Sequence, residues 1–195
     1  MRRIINVVLV LIAVLLGFWL YKTIQDPIMF QTEKAKRKDA VVGVLQKIQT
    51  AQDLYRTMTG TYANNFDSLS SVIINGNVIL EKLEADPNDP GNQDKFIRTV
   101  IKKSAKDSLF NLLGGPLNLD SLRYIPYGEG KMFSIEADTI IQQNSKVHVV
   151  EVGAKYKDFM GVFASPRYKK YDALYDPEKW LKFGDLNSAS TAGNW

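Results

Sequence analysis

The chain contains no cysteine, which removes disulfides, thiolate metal sites, cysteine nucleophiles and a lipid-bearing cysteine from consideration. Histidine is nearly as scarce, since His148 is the only one. It lies within Val147-His148-Val149-Val150-Glu151-Val152, where strand alternation sets it on the face opposite Val147 and Val149. No partner constellation accompanies it, so it reads as a strand histidine at the surface or satisfied by a neighbour. Charge of one sign is also lacking. Lys and Arg number 25 against 21 Asp and Glu, and a net +4 dispersed along the chain is too little to argue for nucleic acid. Gly114-Gly115-Pro116 lacks the Gly-Lys-Ser/Thr spacing of a phosphate-binding loop, and no Gly-x-Ser-x-Gly elbow occurs. Neither a cofactor, a metal, a small-molecule substrate nor an enzymatic activity is expected.

What the chain does have is one long apolar run, Ile4–Tyr21, behind Arg2 and Arg3. Asn6 is its one strongly polar member. At ~1.5 Å per residue it reaches about 27 Å, close to the ~30 Å hydrocarbon layer of a bilayer. Trp19 and Tyr21 close it where amphipathic rings favour the headgroup zone. We expect residues 1–22 to form a transmembrane signal-anchor, with Ile4, Asn6, Leu9, Leu16, Trp19 and Tyr21 among its lipid- or subunit-facing positions. The flank Phe18-Trp19-Leu20-Tyr21-Lys22 carries no small-residue cleavage site. Asn6 would seek a hydrogen bond from a neighbouring membrane subunit, or stay wet near the surface.

Lys22, Lys34, Lys36, Arg37 and Lys38 follow the span, and a bare count of cations would keep the domain inside. The short basic start matches a signal n-region, and this sets the expected orientation: N-terminus in the cytoplasm, domain in the periplasm of a bacterium, anchored in the inner membrane. The run Lys34–Lys38 reads as a solvated helical turn, with contact to anionic lipid as the alternative.

About 174 residues follow the anchor, enough for one ordinary domain with a real core. Asp26-Pro27 predicts a kinked connector over 23–31, because proline lacks the amide hydrogen and crowds the preceding turn. A second helix is expected over about Thr32–Thr59. Val41, Val44, Leu45, Ile48, Ala51, Leu54, Tyr55 and Met58 recur at three- and four-residue steps and form one stripe for a sheet or helix to cover. Gly60 stands where a left-handed cap is expected.

Three motifs then carry a family likeness: Thr50-Ala51-Gln52-x-x-Tyr55, Gly60-x-Tyr62 and Phe66-Asp67-x-Leu69. Together they resemble the end of the long helix and the following loop in type IV pilins and type II secretion pseudopilins. The Leu181–Trp195 stretch, with Gly184-Asp185-Leu186 and Gly193-Asn194-Trp195, is similar to pilin-like tails. The resemblance implies an α+β fold in which an N-terminal transmembrane helix leads into an amphipathic helix packed on an antiparallel β-sheet. It implies a domain over 32–186 and a small, polar tail over 187–195. The pilin leader ends in Gly before an apolar segment with Glu at its fifth position. Here Gly17-Phe18 is the only similar dipeptide, and the fifth position holds Lys22. Processing by a prepilin peptidase is therefore not expected.

Further along, Val72–Leu80 reads as a β-hairpin about Asn75-Gly76. Asp86–Asn92 is dense in turn formers; Asp86, Asn88, Asp89, Gly91 and Asp94 invite a calcium reading, but Pro90 and Ile97 occupy its fifth and twelfth positions, so a solvated turn is preferred. Asp94–Phe110 suits helix or strand. Leu117–Tyr124 predicts a short helix capped by Asn118. Lys131–Ile141, Val147–Ala154 and Met160–Ala164 predict strands, the first entered from Tyr124–Tyr127 through the turn Gly128-Glu129-Gly130. Tyr156, Phe159 and Phe163 read as core, and the tail from Asn187 as loose or ordered by a partner. Tyr168, Tyr171, Tyr175 and Trp180 suggest a contact strip for partners, or a loop laid over the sheet. Such partners are the lipid bilayer and other inner-membrane or periplasmic subunits. The expected function is that of a non-enzymatic structural subunit of an envelope machine. The alternatives are a pseudopilin-type filament subunit and a membrane-tethered binding domain.

Overall fold

The computed structural model describes residues 2–85 and 96–195, and the acidic Asp86–Asp94 loop considered for calcium lies outside them. A single helix, α1 (Arg2–Thr59), runs through both expected helices with Pro27 inside it. At ~1.5 Å per residue its 58 residues extend about 87 Å. No separate connector over 23–31 interrupts it. Proline costs a helix interior roughly 3 kcal/mol, but Phe30 and Gln31, immediately beyond, are gripped by the C-terminal part of the chain. Tertiary contacts thus keep the backbone helical where local preference would break it.

The N-terminal part of α1 is exposed along its length. Farther along, Val41, Leu45, Ile48, Ala51 and Leu54 are buried, with Val44, Tyr55 and Met58 partly so. The expected stripe is therefore the face that the domain covers. Each such Leu or Ile contributes about 1.5–3 kcal/mol by burial. Gly60 ends the helix at φ +83°, its amide bonded to the Arg56 carbonyl at 2.8 Å.

The hairpin expected about Asn75-Gly76 is absent. In its place stands a second helix, α2 (Phe66–Asn75), and Gly76, at φ −88°, is its cap rather than a turn residue. Asn65 accepts from the Ser68 amide at 2.7 Å to start the helix, and Phe66, Leu69 and Ile73 are buried at helical spacing. That buried face outweighs the β-preference of Val72-Ile73-Ile74. Strand β1 (Asn77–Ala85) follows directly and pairs antiparallel with β2 (Phe96–Ser104). From Phe96 onward the ambiguous 94–110 region is thus both strand and helix, because α3 (Ala105–Leu113) begins at the Ser104 cap. A 3-10 turn over Leu119–Arg123 is capped by Asn118, as its sequence predicts.

A second, three-stranded antiparallel sheet has the order β3-β4-β5, with β3 (Ser134–Gln142), β4 (Ser145–Lys155) and β5 (Trp180–Gly184). The β3–β4 connection is Gln143-Asn144, both at positive φ, the conformation of a tight two-residue hairpin. A bridge between Tyr124 and Met132 spans the Gly128–Gly130 turn. The strand expected over Met160–Ala164 is instead helical: α4 (Tyr156–Phe159) and a 3-10 turn over Gly161–Phe163. Their amides bond locally, Met160 to the Tyr156 carbonyl and Phe163 to the Met160 carbonyl, leaving no ladder to extend. Val150, Val152, Ala154, Leu181 and Phe183 form one core with the α1 stripe, together with Leu69 and Ile73 of α2 and Leu109 of α3. The fold is α+β, with a long apolar N-terminal helix and small antiparallel sheets.

Candidate functional site at the helix and collar junction

Between β4 and β5 the chain packs against one face of α1, and this segment, 156–179, is termed the collar. Its centre is Phe30, which is fully buried. Tyr168 stacks on that ring at 5.2 Å and 5°, and Tyr175 meets it edge-on at 5.0 Å. Phe163 and Tyr171 close the cage at 6.0 and 6.1 Å. Each aromatic pair adds roughly 0.5–1.5 kcal/mol beyond its area.

Polar contacts fasten the same turn pair. Gln31 donates to the Tyr171 carbonyl at 3.1 Å, and Arg37 donates to the Phe159 carbonyl at 2.8 Å. Lys34 forms an ion pair with Asp172. That ammonium holds the Asp172 carboxyl below its usual range, against the opposing effect of partial burial. Arg37 likewise lowers Glu33 through a hydrogen bond of 3.1 Å. The Tyr175 hydroxyl donates to the Phe163 carbonyl at 2.8 Å, and burial pushes its pKa up to about 12. Burial also raises Tyr156.

On the side nearest the apolar run, two clefts open between α1 and the collar. One, of about 460 Å³, is walled by Lys22, Asp26 and Met29 of the helix and Val162, Arg167 and Lys170 of the collar. The other brings Lys170 and Tyr171 beside Trp19, Lys22 and Thr23. Such a cluster, three cations against one carboxylate, is suited to holding an anion.

The sequence-predicted residues distribute as follows. Ile4, Asn6, Leu9, Leu16, Trp19 and Tyr21 all lie exposed on the free part of α1. Val41, Leu45, Ile48 and Ala51 are buried in the domain, with Tyr55 and Met58 at the margin. Tyr168 and Tyr171 are half-buried in the collar, and Tyr175 is only 2% exposed. Trp180 stands apart on β5, exposed beneath the Lys155 ammonium at 5.6 Å. His148 shares its strand face with Val150 and Val152, and its Nδ1 lies 2.9 Å from the Thr139 hydroxyl of β3. Among the described residues no group of three or more His, Asp or Glu side chains is placed to hold a metal.

Phe30, Lys34, Arg37 and Asp172 were missed by sequence reasoning. A signal existed: Phe30, Lys34, Arg37 and Val41 continue the stripe backward at three- and four-residue steps, into the supposed 23–31 connector. No known family, curated protein or solved structure matches the chain.

Proposed function

We propose that the chain is a non-enzymatic, single-pass structural subunit of a bacterial inner-membrane envelope machine serving secretion or energy transduction. Its N-terminus lies in the cytoplasm and its pilin-like domain in the periplasm. The observation that carries this reading is the unbroken α1, one end apolar enough to cross a membrane and wholly exposed, the other buried in the domain. An exposed run of that length has no cover of its own, and a bilayer supplies one. The pilin-like reading draws support from the resemblance motifs, which flank the point where the helix exits. Gln52 bonds to Ala63, and the Arg56 guanidinium bonds to the Tyr62 hydroxyl at 2.9 Å and lies over its ring.

The test is purification of the full chain from native membranes, without overexpression, in mild detergent. Other inner-membrane subunits are expected to co-purify in a defined complex, and Asn6→Leu is expected to weaken it. A strictly monomeric particle without membrane partners would overturn the reading. Intact-mass measurement separates the filament alternative: a mature chain that begins at Phe18 and is N-methylated identifies a pseudopilin.

A further inference from the structure

We propose that the clefts between α1 and the collar bind the headgroup of an anionic glycerophospholipid, its phosphate held by Lys22, Arg167 and Lys170. The inference rests on the membrane-anchor reading, which fixes the depth of the site. Trp19 and Tyr21 end the apolar run, and Lys22 is the next residue. Lys170 and Tyr171 share a cleft with Trp19 and Lys22, so the collar meets the helix at headgroup level. The adjoining cleft adds Arg167 and the 75% exposed Val162, which is placed to sit against the upper acyl region.

The local charges sort the candidates. Three cations face the single carboxylate of Asp26, to which the Tyr171 hydroxyl donates weakly at 3.5 Å. Lys34, by contrast, is engaged with Asp172, and Arg37 with Glu33, on the domain side of the collar. A zwitterionic headgroup brings no net charge to this surplus. An anionic one offsets half of it, and its free hydroxyls can donate to Asp26. Cleft volumes of about 460 and 590 Å³ fall within the range that small ligands occupy. A lipid seated there would tie the collar, and through Phe30 the whole domain, to the membrane plane.

The experiment uses the full chain in detergent micelles doped with equal phosphatidylcholine, phosphatidylethanolamine and phosphatidylglycerol, with retained lipid read by native mass spectrometry. Phosphatidylglycerol is expected to dominate the lipid-bound species. The preference should fall about fivefold for each charge removed in Lys22→Gln, Arg167→Gln and Lys170→Gln, while Lys106→Gln on α3 leaves it unchanged. Should a variant that combines the three substitutions misfold, Lys170→Gln alone, which removes an ammonium that merely covers the Tyr171 ring at 4.5 Å, keeps the comparison readable. Equal retention of the three lipids, an unaltered preference in the variants, or displacement by inorganic phosphate as effective as by lipid would each overturn the proposal.

Failure of the anchor reading is detected separately. The cysteine-free chain accepts a single fluorophore at Leu16→Cys, and lipids brominated in their acyl chains should quench it in vesicles. Absent quenching defeats the anchor reading and the headgroup proposal with it. Quenching without a phosphatidylglycerol preference defeats the headgroup proposal alone.

Discussion

The carboxamide of Gln52 is bonded at both ends to the backbone of Ala63: its Nε2 donates to the carbonyl and its Oε1 accepts from the amide, each at 2.9 Å. Both residues are buried, so no water competes for either group. The side chain of a helix residue thereby satisfies the loop that leaves that helix.

Replacing Gln52 with alanine should strand both Ala63 groups, at about 1–3 kcal/mol each. A fall in unfolding midpoint of about 4–24 °C is expected, using ~2–4 °C per kcal/mol for a chain of this size. Gln52→Glu keeps the acceptor and loses the donor, so its midpoint should also drop. Differential scanning fluorimetry of the detergent-solubilised full chain reads both, and unchanged midpoints would contradict the arrangement.

Phe30→Ala removes the centre of the collar. The loss expected for a buried aromatic is about 3–5 kcal/mol, with Phe30→Leu costing less. Because Arg167, Lys169 and Lys170 lie in the collar, trypsin supplies a local readout. Cleavage at these three positions should accelerate in Phe30→Ala before cleavage elsewhere does.

Acid should loosen the same region. Lys34 lowers Asp172 below its unfolded value of about 3.9. A carboxyl depressed in the folded state contributes fully above the unfolded pKa, and the contribution disappears as pH falls through the folded value. Tryptic cutting after acid pulses below about pH 4 should therefore rise in the wild type. Asp172→Asn should be cut faster at neutral pH and show a flatter acid response.

Tyr175 gives the alkaline counterpart. Its pKa of about 12 stands above the ordinary value of about 10 because burial penalises the phenolate. The neutral side chain's contribution is complete below about pH 10 and is lost as pH rises toward 12. Tyrosinate absorbance should show a late-ionising class that diminishes in Tyr175→Phe. That variant also forfeits the bond to the Phe163 carbonyl, roughly 1 kcal/mol at neutral pH.

Local chemistry made part of this architecture legible. The Val41–Met58 periodicity, the Gly60 cap and the Asn118 cap each depend on a few adjacent residues, and the structure agrees with them. Asn75-Gly76 misled because its strong turn preference is exercised at a helix end, where Phe66, Leu69 and Ile73 dictate the fold. The actual two-residue turn, Gln143-Asn144, carries no glycine to advertise it. Pro27 misled in the opposite sense, since what holds its helix together is Phe30 meeting Tyr168, 138 positions later in the numbering. The collar was invisible for the same reason: aromatic residues at 163, 168, 171 and 175 declare burial or exposure only once the helix face they pack against is known. The tail expected to be loose or ordered by a partner is instead bonded to the chain's own helix, for the Thr191 carbonyl accepts from Gln49 at 2.8 Å.

That tail has one more effect. The Gly184 amide donates to the Ala192 carbonyl, and Asn194 bonds to Lys182 and Trp180, so residues 192–194 seal the outer margin of β5. Gly184 permits this closure at φ +78°, where an added Cβ would collide with the Val150 carbonyl. Runaway edge-to-edge association of copies through that margin is therefore barred. Among the described residues the opposite margin, β3, pairs only with β4, and the exposed carboxylates of Glu136 and Asp138 are its defence. Shaving even the last four residues would open a sticky flank, turning a well-behaved chain into one prone to clump.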